Sequence, residues 1–573
     1  MKKLLKHMKQ YRLEAILGPF FKLTEAMFEL FVPLVVADII DKGIGNSDKS
    51  FVISRGILLA ALGIIGFICA LIAQYFAAKA AVGFATNLRS ELYKKISGLN
   101  FTDLDDYGTS TLITRMTGDV NQVQTGVNLT LRLLLRSPFI VFGAMIMAFT
   151  VDARSALIFA ASIPVLAVIV VAVMAVTVPL YKKIQQKADR LTLKTRESLK
   201  GVRVIRAFRQ EQDEITEFGQ CNDSLTALQQ FVGKLSALMN PLTYAVVNAA
   251  IIAIIWVGGK RVYNGGLTQG EIVALCNYMS QILVELIKLA NMIITINKAL
   301  ASGSRIEAVL SAESYKELPT DITVTSDADT AVEFKNVSFK YNKAGGESLT
   351  DISFSALKGE RIGIIGATGS GKSTLVNLIP HFYGATKGAV LVNGTDVKTL
   401  DDLTLRKIIG TVPQKSVLFK GSIRDNLLLG GKTADDNELY RALEAAQAAE
   451  IVKNKGGLDA EVEQNGRNLS GGQRQRLCIA RALVGDPQIL ILDDSASALD
   501  FKTEANLRKA ISSLPQKPTV FTVSQRVSSV MNSDKIIVMD DGAAVGIGTH
   551  DELLESCPIY ADICRSQLEK EEL

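Results

Sequence analysis

A chain of 573 residues is too long for one hydrophobic core and calls for two domains or more. With 48 % hydrophobic residues and a mean hydropathy of +0.23 it is too apolar for a wholly soluble protein. A net charge of +5 is small for this length and provides no case for a nucleic-acid partner, which needs a concentrated basic face.

The apolar residues gather before about residue 300, and six stretches there read as membrane spans: roughly 15–40, 51–78, 134–151, 155–180, 238–260 and 269–295. The second and fourth are the clearest, since Ile57–Ala73 and Ala156–Leu180 carry no charge. The first carries Lys22, Glu25, Glu29 and Asp38. The N-terminal tail and the stretches between spans 2 and 3 and between spans 4 and 5 hold most of the Lys and Arg, which places all three in the cytoplasm. Lys260-Arg261 falls on the outer side by this count, against the charge bias. The apolar stretch behind the basic start is long and has no small-residue cleavage site, so no secretory signal is expected. The six cysteines, without paired or metal-type spacing, read as free thiols in a reducing compartment.

The two basic connections, about 55 residues each, have helical periodicity. At about 1.5 Å per residue the spans continue more than 30 Å past the bilayer. Residues 101–122, with Phe101, Gly108, Arg115 and Asp119, form one tip, and residues 200–218, with Gly201, Arg206, Phe208 and Glu211, form the other. In the sixth span Asn277, Gln281, Glu285, Lys288 and Asn291 keep within an arc of about 120°. Such a polar stripe suits a water-filled substrate path. The other reading is a Glu285–Lys288 pair that only locks two helices together.

Residues 311–330 are polar and aperiodic and read as a linker between a membrane domain, 1–310, and a soluble domain, 331–573. Beyond the linker, short strands rich in Val, Ile and Phe alternate with amphipathic helices. The strand Arg361–Ile365 runs into Gly366-Ala-Thr-Gly369-Ser370-Gly371-Lys372-Ser373-Thr374, which opens a helix. This strand–loop–helix context is what a phosphate-binding loop requires. The glycines let backbone N–H groups close on phosphate oxygens, Lys372 reaches the β- and γ-phosphates, and Ser373 offers a hydroxyl to Mg²⁺. A second apolar strand, Ile489–Leu492, ends in Asp493, a magnesium-type aspartate. Asp494 follows, where a hydrolase of this layout has Glu, and Gln525 stands where it has His. Tyr341 can stack on adenine or be an ordinary surface Tyr, and Gln414 follows the strand Ile408–Val412.

With Leu469-Ser470-Gly471-Gly472-Gln473 added, the chain resembles a half-transporter of the ATP-binding cassette (ABC) exporter type over essentially its full length. The resemblance implies an all-α membrane domain of six spans followed by an α/β phosphate-loop nucleotide-binding domain. It assigns Tyr341 to the adenine, Gln414 to the glutamine loop and a place beside Mg²⁺, Ser497–Asp500 to the D-loop, and the two tips to coupling helices. It also implies that two nucleotide domains meet head to tail, so that Leu469–Gln473 serves a partner's ATP. Asp494 is one methylene shorter than Glu, and Gln525 cannot carry a proton as His does. The expectation is therefore a multi-pass cell-membrane subunit, with N terminus and nucleotide domain cytoplasmic, that binds ATP and Mg²⁺ at a hydrolysis-impaired site. It would pair with a second half bearing Glu and His to export a small-molecule, lipid or peptide substrate. Two alternatives stand beside it: a homodimeric exporter slow at both sites, and an ATP-gated membrane protein that does not pump.

Overall fold

The computed structural model describes residues 4–312, 329–342 and 344–568, so most of the expected linker lies outside the described residues. The chain divides into two units: Met1–Ser97 with Gly108–Ala312, and Gly98–Tyr107 with Glu313–Leu573.

The first unit is helical. Its helices are α1 (Arg12–Asp38) and α2 (Lys49–Ser97), then, beyond the short α3 (Phe101–Tyr107), α4 (Thr109–Thr114), α5 (Val120–Leu133) and α6 (Arg136–Val151), followed by α7 (Ala153–Ala207), α8 (Glu211–Ala237), α9 (Met239–Tyr263) and α10 (Gln269–Ser311). At about 1.5 Å per residue, the 49 residues of α2 and the 55 of α7 far outreach a hydrocarbon core of about 30 Å. Among the described residues, five helical runs are long and apolar enough to cross a bilayer: Lys49–Ser97, Thr109–Val151, Ala153–Ala207, Glu211–Tyr263 and Gln269–Ser311. The first expected span falls on the 27-residue α1, which is not among these five, since Lys22, Glu25 and Glu29 break its apolar run. Ile57, Ile64 and Phe67 of α2 are exposed, a surface suited to lipid.

The core of this unit joins α1, α6, α7, α9 and α10 through residues such as Ala26, Ala144, Phe159, Ile254 and Tyr278. Small residues let helices approach closely: a methyl on Gly126 of α5 would lie 2.2 Å from Ala299 Cβ of α10. Lys260 and Arg261, which run against the charge bias, are both engaged. Arg261 lies 3.1 Å from the buried carboxylate of Asp152, the residue that caps α7, and Lys260 sits 5.0 Å over the Trp256 ring.

A charge network centred on the buried Arg136 and Glu285 ties α1, α6 and α10. Arg136 donates to Glu285 and to Glu29, each at 2.6 Å, and Ser137 and Lys288 also donate to Glu285, at 2.7 and 2.8 Å. Lys22 pairs with Glu25 at 2.5 Å. Glu285 is 3 % exposed.

The second unit is α/β. Its strands are β1 (Thr330–Phe339), β2 (Leu349–Leu357), β3 (Arg361–Gly366), β4 (Lys387–Val392), β5 (Thr395–Asp396), β6 (Ile409–Val412), β7 (Gly421–Ser422), β8 (Glu461–Val462), β9 (Ile489–Asp493), β10 (Thr519–Val523), β11 (Lys535–Asp540) and β12 (Ala543–Gly548). The six-stranded sheet runs β12-β11-β3-β10-β9-β6 and is parallel except for β11–β12. A four-stranded sheet, β2-β1-β4-β5, is antiparallel. β9 is buried on both faces, Ile489 and Ile491 toward one core, Leu490 and Leu492 toward another, as a central parallel strand must be. The tip helix α3 belongs to this unit: Phe101 meets the Phe382 ring at 4.5 Å, and Tyr383 donates to Asp105 at 2.6 Å. The other tip, the turn between α7 and α8, leaves Val204, Phe208 and Ile215 exposed.

Candidate functional site

Parallel pairing decides where the site forms. Strand β10 lies between β3 and β9, with Val523 opposite both Ile364 and Asp493. The carboxyl ends of three strands therefore face one edge, where open α/β sheets bind ligands. The phosphate loop leaves β3 there, Asp493 ends β9 there, and Gln525 follows β10 by two residues.

The cleft at this edge has a volume of about 440 Å³. Of the residues picked out in the sequence, Tyr341, Gly369, Gly371, Lys372, Ser373, Thr374, Gln414, Asp493, Asp494 and Gln525 line it. Helix α11 (Lys372–Leu378) starts at Gly371, whose φ of +97° suits glycine alone. Gly366 is fixed by close approach, since a methyl there would lie 2.1 Å from the Met539 carbonyl oxygen. Ser370 Oγ is buried without a hydrogen-bond partner in the loop itself. Such an orphan donor, with the N terminus of α11 and the Lys372 ammonium, fits a phosphate group.

Lys372 Nζ donates to the carbonyls of Gly366 and Ala367 at 2.9 and 2.6 Å. Burial pushes its ammonium below the usual lysine range, against the pull of Asp494 and Asp493. Ser373 donates to Asp493 Oδ1 at 2.9 Å. Burial holds the Asp493 carboxyl above the usual carboxylate range, with the Ser373 hydroxyl opposing that shift and the Asp494 charge adding to it. A hydroxyl and a carboxylate at this spacing make an all-oxygen pair that fits Mg²⁺.

Asp494 has φ +47°, a left-handed conformation in which Asp is enriched. Its N–H donates to the Val523 carbonyl at 3.0 Å, which ties it to β10. Gln525 is exposed at the rim. Tyr341 stands edge-on to Phe339 and Tyr383, and its hydroxyl lies 3.2 Å from that of Thr374.

None of Leu469–Gln473 lines this cleft. Ser470 instead caps the helix Gly471–Leu483, accepting from Gln473 N while the Gln473 side chain accepts from Ser470 N. Of the polar stripe on α10, Glu285 and Lys288 join the charge network of the first unit, and Asn277 is exposed. Sequence reading missed Glu347, Ser348, Asp541 and Gly542, which also line the cleft. The Asp541-Gly542 turn signal was available, but nothing in the sequence ties it to the phosphate loop: Gly542 reaches the site because its N–H donates to the Ser370 carbonyl of that loop at 3.3 Å.

The sequence matches the ABC transporter transmembrane region family over residues 15–286 and the ABC transporter family over 349–497. It is 36 % identical over 567 residues to an ABC transporter ATP-binding protein of Mycobacterium tuberculosis, covering 98 % of this chain and 97 % of that one. It is 30 % identical over 550 residues to an ATP-dependent lipid A-core flippase of Desulfotalea psychrophila, covering 95 % of each. The fold matches a bacterial Atm1-family ABC exporter solved with ATP bound, with a TM-score of 0.81 over 98 % of both chains at 22 % identity. The chain belongs to the ABC transporter family, as an ATP-hydrolysing exporter half in which a membrane domain is followed by its ATP-binding domain.

Proposed function

We propose that this chain is the subunit of an asymmetric exporter that holds ATP at a hydrolysis-impaired site and completes the active site of a second half. The observation that carries this reading is that Asp494 and Gln525 line the same cleft as Lys372, Ser373 and Asp493. Nucleotide bound on the phosphate loop meets the shortened carboxylate and the amide together. A carboxylate drawn back by about 1.5 Å polarises water poorly, since positioning errors near 1 Å already cost about 100-fold. Lys372 would face the β- and γ-phosphates, and Ser373 and Asp493 would hold Mg²⁺, which neutralises phosphate charge.

Leu469–Gln473, outside this cleft, would reach the partner's ATP, and the partner would supply Glu and His. Helix α3 and the exposed turn between α7 and α8 serve as coupling elements. Six spans, cytoplasmic termini and residence in the cell membrane belong to the same proposal, with 1–310 as the membrane domain and 331–573 as the nucleotide domain. The hydrogen bonds around Glu285 support a helix-locking role for it. Asn277, Gln281 and Lys288 remain the proposed path-facing residues. The substrate is a small molecule, a lipid or a peptide; the flippase relative favours a lipid.

Steady-state ATPase of the purified assembly, with each substitution made in this chain only, tests the reading. Asp494→Asn keeps most activity, because the chemistry occurs at the partner's Glu. Ser470→Ala lowers it by about tenfold or more, through loss of a donor to the partner's γ-phosphate. A homodimer gives the opposite for Asp494→Asn: a fall of about 100-fold or more as both sites lose their base.

A further inference from the structure

The charge network of the first unit balances within itself. Its cations, Arg136, Lys288 and Lys22, meet the carboxylates of Glu285, Glu29 and Glu25. One more cation lies on the same helix face. Arg132 stands four residues before Arg136, about one turn and 6 Å along the axis, and Leu134 and Leu135 between them keep helical geometry. Arg132 therefore begins the stripe that runs on through Arg136, Ile140 and Ala144, all three buried. Among the described residues it makes no ion pair, and its Nε is buried without a hydrogen-bond partner. Lys288 lies one turn from Glu285 toward the end of α10, and Arg132 lies one turn from Arg136 toward the start of α5. Arg305 donates to Asp119 at 3.1 Å and ties those two ends together. Both cations are thus displaced from the Arg136–Glu285 contact in the same direction. One turn to the other side of Glu285, Gln281 Oε1 is buried and also lacks a partner.

A guanidinium left unpaired within a span is costly, and such groups mark substrate and ion paths. Its fork of N–H donors matches the oxygens of a phosphate or carboxylate. A small anion does not leave water for apolar surroundings, so a molecule that brings this charge must carry an apolar body. We propose that Arg132, with Lys288 on the same side of the contact, binds the anionic head of an amphiphile, and that this amphiphile is the exported substrate. Gln281 accepts from a hydroxyl or N–H elsewhere on the head. The inference rests on the export reading above and narrows its substrate from a small molecule, lipid or peptide to an anionic amphiphile.

The probe is dodecyl phosphate, set against dodecyltrimethylammonium and inorganic phosphate. Equilibrium binding to the purified assembly in uncharged detergent micelles, without ATP, compares the parent with Arg132→Gln and Arg132→Lys made in this chain. The parent binds dodecyl phosphate far more tightly than either of the others. Arg132→Gln weakens that binding by about 10–100-fold, the scale of a lost hydrogen bond to a charged group. Arg132→Lys keeps the charge without the fork and falls between the two. The thermal midpoint of Arg132→Gln without probe stays at the parent's or rises, because no carboxylate loses its partner. Unchanged affinity in Arg132→Gln, or equal binding of the ammonium compound or of inorganic phosphate, overturns the site. So does a midpoint that drops along with the affinity, the mark of a structural residue. ATP-driven accumulation of dodecyl phosphate in inverted vesicles separates the two ideas. Binding that needs Arg132 without any accumulation strikes the export reading, and the substrate with it, and leaves only an anion site. Accumulation undiminished in Arg132→Gln leaves the exporter and strikes the site.

Discussion

The charge clusters around Glu285 and around Lys372 both centre on buried groups, but they are satisfied by different partners. In the first unit Arg136 meets Glu285 and Glu29, Lys288 meets Glu285, and Lys22 meets Glu25, so cations and carboxylates are matched in number. In the second unit Lys372 gives its hydrogen bonds to two backbone carbonyls, and Asp493 takes one from a hydroxyl. Burial disfavours the charged form of both Lys372 and Asp493. The first arrangement holds helices together, and the second keeps charge available for a ligand. Removing a charge should therefore cost stability in the network, and cost ligand binding but not stability in the cleft.

The network gives the largest expected effect. Arg136→Ala leaves Glu285 buried without its main cation, and breaking a buried pair from one side costs about 3–5 kcal/mol. Thermal unfolding of the purified transporter should show a large drop in midpoint. Arg136→Leu combined with Glu285→Leu should recover much of that drop, because both buried charges are then gone and the Glu29 and Lys288 left behind are partly exposed to solvent. A single variant as mild as the loss of an exposed pair, below about 1 kcal/mol, would remove the first half of the contrast.

Lys372→Ala comes next. Hydrogen bonds to a charged group contribute about 1.5–3 kcal/mol, so ATP affinity at this subunit's site should fall by about 10–100-fold. Equilibrium binding of ATP to the full chain measures it, with the thermal midpoint of the nucleotide-free chain as the control for folding. Unchanged affinity would sink the assignment of Lys372 to phosphate.

The two clusters also differ in how far the sequence reveals them. Gly366–Thr374 lies on consecutive residues, and Asp493 and Gln525 follow strands whose apolar runs are plain, so parallel pairing brings them together without further information. The long spans and the α/β half were legible for the same reason, because periodicity is a local property. The network was only half visible. The stripe placed Glu285 and Lys288 on one face of α10, but Arg136 sits at the start of α6, 149 positions away from Glu285, and Glu29 lies on α1. No local pattern pairs them. Lys260-Arg261 looked anomalous only because charge counting cannot see Asp152.

Asp493→Asn should give the smallest effect, and with the opposite sign to Arg136→Ala. In the folded chain burial raises the Asp493 carboxyl above its ordinary value, so its ionised form opposes folding. A group raised in this way favours the folded state while it is protonated, and that contribution is lost as pH rises through the folded value. At neutral pH the parent therefore carries a penalty that Asn lacks. The nucleotide-free Asp493→Asn chain should melt a few degrees above the parent, the scale of a change of about 1 kcal/mol. The gap should be widest at neutral pH and close as acid carries Asp493 to its neutral form. Adding ATP with Mg²⁺ should reverse the order, because a ligand stabilises in proportion to its affinity and the parent alone keeps the carboxylate that suits the cation. Thermal unfolding from neutral pH down into the carboxylate range, with and without nucleotide, measures both changes. A variant that melts below the parent at neutral pH without nucleotide would show that Asp493 is held as the network's carboxylates are, and the contrast between the two clusters would fail at its nucleotide end.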